Sequence, residues 1–364
     1  MSTKILGLTT AGGALALLLA VTNASPAPQR SDMLPASAGR VSSFAFDRAH
    51  PGTLYVGASA WQNAQGQVYK TTDGGDHWRL ISGRNLGRWL GALTVDPRRS
   101  RTLYAGTGAA VYKTTNGGRS WHSWNSGLLP PPGINRGEGW VDWLAVDPRN
   151  SKVLYEHDYA NTIRKSTDGG HTWRVLVSQF RRGAVEGLLM VPGSRPALYA
   201  AFSISGPGGK GPGVYRSTTG GKTWHKMSLP GPYLFATAAL DRQKKTIYVG
   251  LGGRIFASAD AGRHWRFLGQ VPPDQAVTSL TAGAGAVVAT DDNGIFQSLD
   301  GGTTWKRTWP VGDLDRYFAG IVTVDPTIPT TVYAAVYFPE TDTGPVQTQI
   351  LRSTDSGSTW AVMG

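Results

Sequence analysis

Ser166-Thr167-Asp168-Gly169-Gly170-His171-Thr172-Trp173 decides the fold, because the chain writes this octet seven times. The other copies are Thr71-Thr72-Asp73-Gly74-Gly75-Asp76-His77-Trp78, Thr114 to Trp121, Ser217 to Trp224, Ser258 to Trp265, Ser298 to Trp305 and Ser353 to Trp360. Their tryptophans stand 43, 52, 51, 41, 40 and 55 residues apart. A self-similarity of that period is the signature of a repeat architecture. Each octet follows a short apolar run such as Val68-Tyr69-Lys70 and leads into another such as Trp78-Arg79-Leu80-Ile81. That pattern predicts a β-hairpin, with Asp accepting backbone N–H groups and Gly supplying positive φ. The tryptophan is suited to filling the gap between neighbouring sheets.

A second unit lies upstream of each octet: strand, turn, strand. Val95-Asp96-Pro97 followed by Thr102-Leu103-Tyr104-Ala105-Gly106 is one copy. Val146-Asp147-Pro148 and Val324-Asp325-Pro326 open two more, and Phe46-Asp47, Leu240-Asp241 and Val191-Pro192 open degenerate ones. Every period then carries four short strands. Four strands per period, seven times, predicts an all-β chain: a seven-bladed β-propeller of four antiparallel strands per blade over residues 41–364. No helix longer than two turns is expected.

Composition agrees. The 364 residues include 48 Gly and 22 Pro, rich in turns yet short of low complexity. With no cysteine, disulfides, thiolate metal sites and cysteine nucleophiles are excluded. Lys and Arg number 36 against 24 Asp and Glu, a net charge of +12, which favours acidic partners without choosing among them. The charge forms no dense run, which argues against nucleic acid. Lys4, the uncharged stretch Ile5 to Val21 and Thr22-Asn23-Ala24 predict an export signal over residues 1–24, cleaved after Ala24. Residues 25–40, rich in Pro, Ser and Ala, read as a linker. No later segment is expected to span a membrane, and the mature protein is expected to be a secreted or extracytoplasmic monomer.

Ser-x-Asp-x-Gly-x-x-Trp is the Asp-box, and on these residues the chain resembles the BNR/Asp-box repeat family across residues 41–364. That family includes sialidases, xyloglucan-hydrolysing propellers, the sortilin luminal domain and photosystem II assembly propellers. The resemblance implies the fold. It says little of function, because in the family Asp-boxes lie on the blade periphery.

Other motifs carry less. Gly206-Pro207-Gly208-Gly209-Lys210-Gly211 matches a dinucleotide fingerprint but runs into Pro212 and a strand rather than a helix. Gly221-Lys222-Thr223 belongs to an Asp-box turn, Arg216 standing where a P-loop needs glycine. Asp291-Asp292-Asn293-Gly294 reads as a hairpin turn rather than a calcium loop. His77, His171 and His264 fall inside Asp-box turns. No cofactor and no metal is implied.

A propeller gathers its ligand site on the face where blade connections enter the innermost strands. Aligned on Val95, the fourth residue back reads Ser42, Gly91, Asp142, Gly187, Ala236, Thr278 and Gly320: six small residues and one carboxylate. Asp142 is flanked by Trp140 and Trp143. Glu186, Asp158 and Asp315 are candidate partners for it as a catalytic pair. Arg88, Trp89, Arg136, Tyr159, Arg181, Arg182, Tyr233, Arg316 and Tyr317 add cations and aromatic planes near the same entrances, the chemistry that grips a sugar or an acidic ligand.

Three functions fit. One is a glycoside hydrolase with paired carboxylates acting on a polysaccharide or glycoconjugate, acidic ones included. The Arg-Ile-Pro signature of sialidases is missing, and one propeller replaces the xyloglucanases' two. The second is a non-catalytic binding propeller. The third is an assembly factor holding a protein partner through arginines, as the resemblance to photosystem II propellers implies.

Overall fold

In the computed structural model, placement is described for residues 30–31, 34, 38–60, 65–83, 86–108, 110–124, 128, 141–158, 162–177, 185–191, 197–202, 211, 213–229, 236–272, 276–292, 294–309, 318–338 and 347–363. The expected export signal lies outside them. Seven antiparallel sheets follow one another along the chain, each built from consecutive strands. The protein is a seven-bladed β-propeller. The innermost strands are Arg40–Phe46, Ala92–Asp96, Val141–Val146, Val185–Val191, Ala236–Asp241, Ser279–Gly283 and Phe318–Val324. Blade 1 carries a fifth strand: Arg30–Ser31, from the segment expected to be a linker, pairs with Trp78 and Arg79 at the blade's outer edge. No helix among the described residues is long and apolar enough to cross a membrane.

Each Asp-box turn uses its side chains in the same way. The hydroxyl at the first position, buried in all seven copies from Thr71 to Ser353, accepts the N–H of the glycine four residues on at 2.7–3.0 Å. That hydroxyl donates to the box carboxylate where one is present, as Ser166 does to Asp168 Oδ1 at 2.8 Å. The carboxylate accepts the backbone N–H ahead of the tryptophan, Thr172 N–H to Asp168 Oδ1 at 3.0 Å. Asn116 and Thr219 reproduce this bond in boxes two and four. Both central positions need positive φ, which glycine adopts freely, and Ala261 and Ser356 adopt it at φ 61° and 62°.

The repeat carries a further rule that the sequence reading lacks. Three residues after every box tryptophan except Trp305 stands a side chain that packs on the second glycine of the next blade's turn. Ile81 does so on Gly118, Leu176 on Gly221, Met227 on Gly262, Leu268 on Gly302 and Met363 on Gly75. A Cβ on Gly118 or Gly221 would sit 2.5 or 2.3 Å from its neighbour, so only glycine fits. Nearer the axis, a second-strand tyrosine and a third-strand cation reach the first turn residue of the next blade. Lys113 Nζ donates to Gly169 O at 3.0 Å, and Tyr199 Oη donates to Ala261 O at 2.9 Å. Tyr333 Oη and Arg352 Nη1 both donate to Gly74 O at 3.0 Å and so close the ring from blade 7 to blade 1. Tyr337 Oη, donating to Val41 O, and Thr348 Oγ1, donating to Gly39 O at 2.6 Å, complete the closure. The core is accordingly a set of clusters between blades, one at each seam.

Candidate functional site

Blade 3 differs from the others in its second strand. Strand pairing aligns Val56-Gly57-Ala58, Ala105-Gly106-Thr107, Ala200-Ala201-Phe202, Val249-Gly250-Leu251, Ala289-Thr290-Asp291 and Ala334-Ala335-Val336 with Glu156-His157-Asp158. Apart from Asp291, which caps its own turn, the aligned residues are small, apolar or hydroxylic and fill a blade interior at little electrostatic cost; three ionisable ones in a row must find partners. They do so on two sides of the strand. Arg164 Nη1, itself buried, donates to Glu156 Oε1 at 2.8 Å and Asp158 Oδ2 at 2.5 Å. His157 Nδ1 lies 2.6 Å from Asp142 Oδ1, the imidazole 5% exposed and the carboxylate 36%. Glu156 Oε2, His157 Nε2 and Arg164 Nε are buried with no partner among the described residues.

The electrostatics follow from this packing. Burial pushes Glu156 up, Arg164 opposes it and Asp158 reinforces it, leaving the carboxyl at about 7. Burial disfavours the His157 imidazolium, but the Asp142 charge and hydrogen bond, with Glu156 and Asp158 behind, outweigh it and raise the pKa.

Asp142 sits on a β-bulge. The ladder steps from Val141 opposite Asp158 to Trp143 opposite His157, leaving Asp142 unpaired and turned out of register. Ser42 occupies the equivalent bulge of blade 1 and Glu186 that of blade 4. This corrects the column read from sequence. Its blade-4 member is Glu186 rather than Gly187, because Val185–Val191 runs one residue further and puts Met190 opposite Leu198, as Val146 stands opposite Leu154. The column therefore holds carboxylate residues in two adjacent blades.

The remaining expected residues divide. Asp158 is buried, held by Arg164 and by the Thr162 N–H at 2.9 Å. Trp143 is half-buried: it packs on the blade 3–4 core and lines the central channel, a cavity of about 260 Å³ shared with Phe44, Thr94 and Leu189. Arg88 and Trp89 are exposed at the entrance to blade 2, where Trp89 adopts φ 56°. Arg136, Trp140, Tyr159, Arg181, Arg182, Tyr233, Asp315, Arg316 and Tyr317 lie outside the described residues, as do residues 206–210 of the glycine-rich match. In Asp291-Asp292-Asn293-Gly294, Asp291 accepts the Gly294 N–H at 3.0 Å, a turn bond. No group of three His, Asp or Glu among the described residues is arranged to hold a metal.

Two residues that the sequence reading missed line the channel near the Asp-Pro turns. Arg48 and Arg242 both border the cavity. Desolvation and then the Arg48 charge pull Arg242 down to about 10. The legible signal was Asp47-Arg48 and Asp241-Arg242, where three other blades read Asp-Pro.

No family model matches the chain. It is 29% identical over 315 residues to the xyloglucanase Xgh74A of Acetivibrio thermocellus, covering 75% of this chain and 32% of that one. Over 301 residues it is 29% identical to a xyloglucanase of a Paenibacillus species, covering 74% of this chain and 26% of the relative. The chain thus spans about a third or less of these relatives' length. Among solved structures, a GH74 xyloglucanase from Xanthomonas campestris superposes with TM-score 0.56 at 15% identity, over 88% of this chain and 60% of that one. The propeller YCF48 bound to D1 peptide superposes with TM-score 0.63 at 16% identity, over 90% and 96%. At these identities the structural likeness is one of fold. The chain is a seven-bladed propeller, consistent with its resemblance to BNR-type propellers.

Proposed function

We propose that this protein is an exported propeller that binds a polysaccharide on the channel face beside Asp142 and hydrolyses it as a glycosidase. The observation that carries the reading is the Asp142–His157 pair on the blade-3 bulge, with Glu186 at the matching bulge of blade 4. Glycoside hydrolysis needs two carboxylates, one to protonate the leaving oxygen and one to activate water or attack. Asp142 bonded to an imidazole of raised pKa suits the second role; Glu186 is the partner by register. Trp143 adds an aromatic plane on the channel wall. The curated relatives are named xyloglucanases, so xyloglucan heads the substrates to test.

A second reading, a protein-binding assembly propeller, is favoured by one observation: this chain matches the single propeller YCF48 over 96% of its length, against 60% for the xyloglucanase. One experiment separates them. The protein is offered a polysaccharide panel led by xyloglucan, scoring binding and reducing-end release, for wild type and Asp142→Asn. Hydrolysis lost in Asp142→Asn supports the glycosidase. Neither binding nor release by the wild type overturns it and favours the protein-binding reading.

A further inference from the structure

At the seam between blades 1 and 2 the inner latch is open, as it is between blades 5 and 6, where a Cβ on Gly301 would meet only Tyr248 Oη at 3.8 Å. Lys70 and Tyr55 form the usual cation and tyrosine pair, Nζ 5.4 Å from the ring centroid. At the seams from blade 7 to 1 and from blade 2 to 3, the corresponding cation bonds the first glycine of the next turn. From blade 3 to 4, Lys165 and Tyr155 stand 2.9 and 3.1 Å from where a Cβ on Gly220 would be. Around Gly117, the glycine facing Lys70, a Cβ would meet nothing within 4 Å. The space left is a cleft of about 660 Å³ running between the two blades.

Its walls are basic. Lys70 and Arg79 come from blade 1, Arg101 and Arg119 from blade 2, and His50 from the turn of blade 1. Lys70 feels its neighbours: desolvation and then Arg79 lower its pKa, Asp47 opposes them, and Arg101 across the seam lowers it further. Asp47, the sole acid lining the cleft, is already engaged by the Ala49 N–H at 3.0 Å and by His50 at 2.8 Å. None of Arg79, Arg101 and Arg119 makes a salt bridge to a described carboxylate. Four cations thus line one cleft in which Asp47 is the single acid. A protein holding like charges together in this way is favoured by an anion between them.

We infer that the blade 1–2 cleft binds an acidic glycan, a chain of carboxylated or sulfated sugars, at a site separate from the channel face. The cations stand on several strands and turns of two walls rather than around one point, which suits anions spaced along a chain better than one phosphate. Thr53, Thr72 and Ser100 supply hydroxyl partners, and Leu80 and Ile81 an aliphatic surface for the apolar face of a ring. This accounts for part of the +12 charge, which the channel-face reading leaves unused.

The test is calorimetric titration of the full chain with galacturonate oligomers at low and physiological salt. Inorganic phosphate, an acidic peptide and single-stranded DNA serve as separate probes. Wild type is compared with Arg101→Gln/Arg119→Gln, Lys70→Gln and Asp142→Asn, each checked by thermal melting. The expected result is saturable oligogalacturonate binding, weakened by added salt, at least tenfold weaker in the arginine double variant and in Lys70→Gln. Asp142→Asn should bind as wild type does, which keeps this site distinct from the channel face. Absence of saturable binding would overturn the inference. So would affinity insensitive to the cleft variants, or tighter binding of phosphate, peptide or DNA than of the glycan.

Discussion

Asp142 and its imidazole partner are where a single charge has the clearest consequences. The His157 pKa is raised mainly because a carboxylate lies 2.6 Å away, so Asp142→Asn should lower it. Nuclear magnetic resonance titration of the His157 ring measures this directly. A group whose folded pKa is raised stabilises fully below its unfolded value and loses that contribution as pH rises through the folded one. The same variant should abolish release of reducing ends or weaken ligand affinity by about 1–3 kcal/mol, the scale of one charged hydrogen bond. Glu156 poses the complementary case. With its carboxyl raised to about 7, the folded state holds a proton that the unfolded chain releases near pH 4. Stability should therefore fall as pH rises from about 4 through 7. Glu156→Gln, which mimics the protonated carboxyl, should flatten that part of the melting-temperature profile while Asp142 chemistry persists. An unchanged slope would place the titration elsewhere.

At the scale of the element, the Asp-box turn is a hydrogen-bonded device with a testable acid limit. Partial desolvation raises Asp168, but bonds from Thr172 and Ser166 outweigh it and bring the carboxyl to about 2; Asp73 is held at about 2 in the same way. Asp260, Asp300 and Asp355 are lowered as well. Depressed carboxylates stabilise above their unfolded pKa, so the turns should lose stability together as pH falls from about 4 toward 2. Asp168→Ala removes the acceptor and should cost about 1–3 kcal/mol in denaturant unfolding. Asp168→Asn should cost little, since Asn116 already makes the turn in blade 2, yet it should remove that box's share of the acid sensitivity.

For the whole molecule, the question is how seven sheets stay in a ring. Among the described residues every blade is a contiguous stretch, and no strand is shared between the first and last blades. Closure rests on side chains: Tyr333 and Arg352 on Gly74 O, Tyr337 on Val41 O, and the Arg352–Asp76 ion pair at 3.3 Å. Arg352→Met should weaken closure by about 1–3 kcal/mol, the scale of one charged hydrogen bond. Hydrogen exchange should show the loss first in blades 1 and 7, ahead of blade 4. Uniform exchange across all blades would mean that the ring opens only by global unfolding.

The sequence by itself determined the fold and the number of blades, because the Asp-box is local chemistry. Its hydroxyl, carboxylate, glycines and tryptophan act within eight residues, and a local device repeated seven times is legible without neighbours. It also exposed Asp142 as a carboxylate in a column of small residues. What it could not decide was pairing. Glu186 rather than Gly187 occupies the blade-4 bulge because a strand ran one residue longer, a fact visible only in the ladder. The meeting of His157 with Asp142, 15 residues apart, and the burial of Asp158 against Arg164 depend on which face of a strand each side chain takes. Alternation makes that choice turn on a single residue of register. The open seam at Gly117 is decided later still, by how blade 1 meets blade 2, since Lys70 and Tyr55 read like Lys113 and Tyr104 in blade 2 and Lys165 and Tyr155 in blade 3.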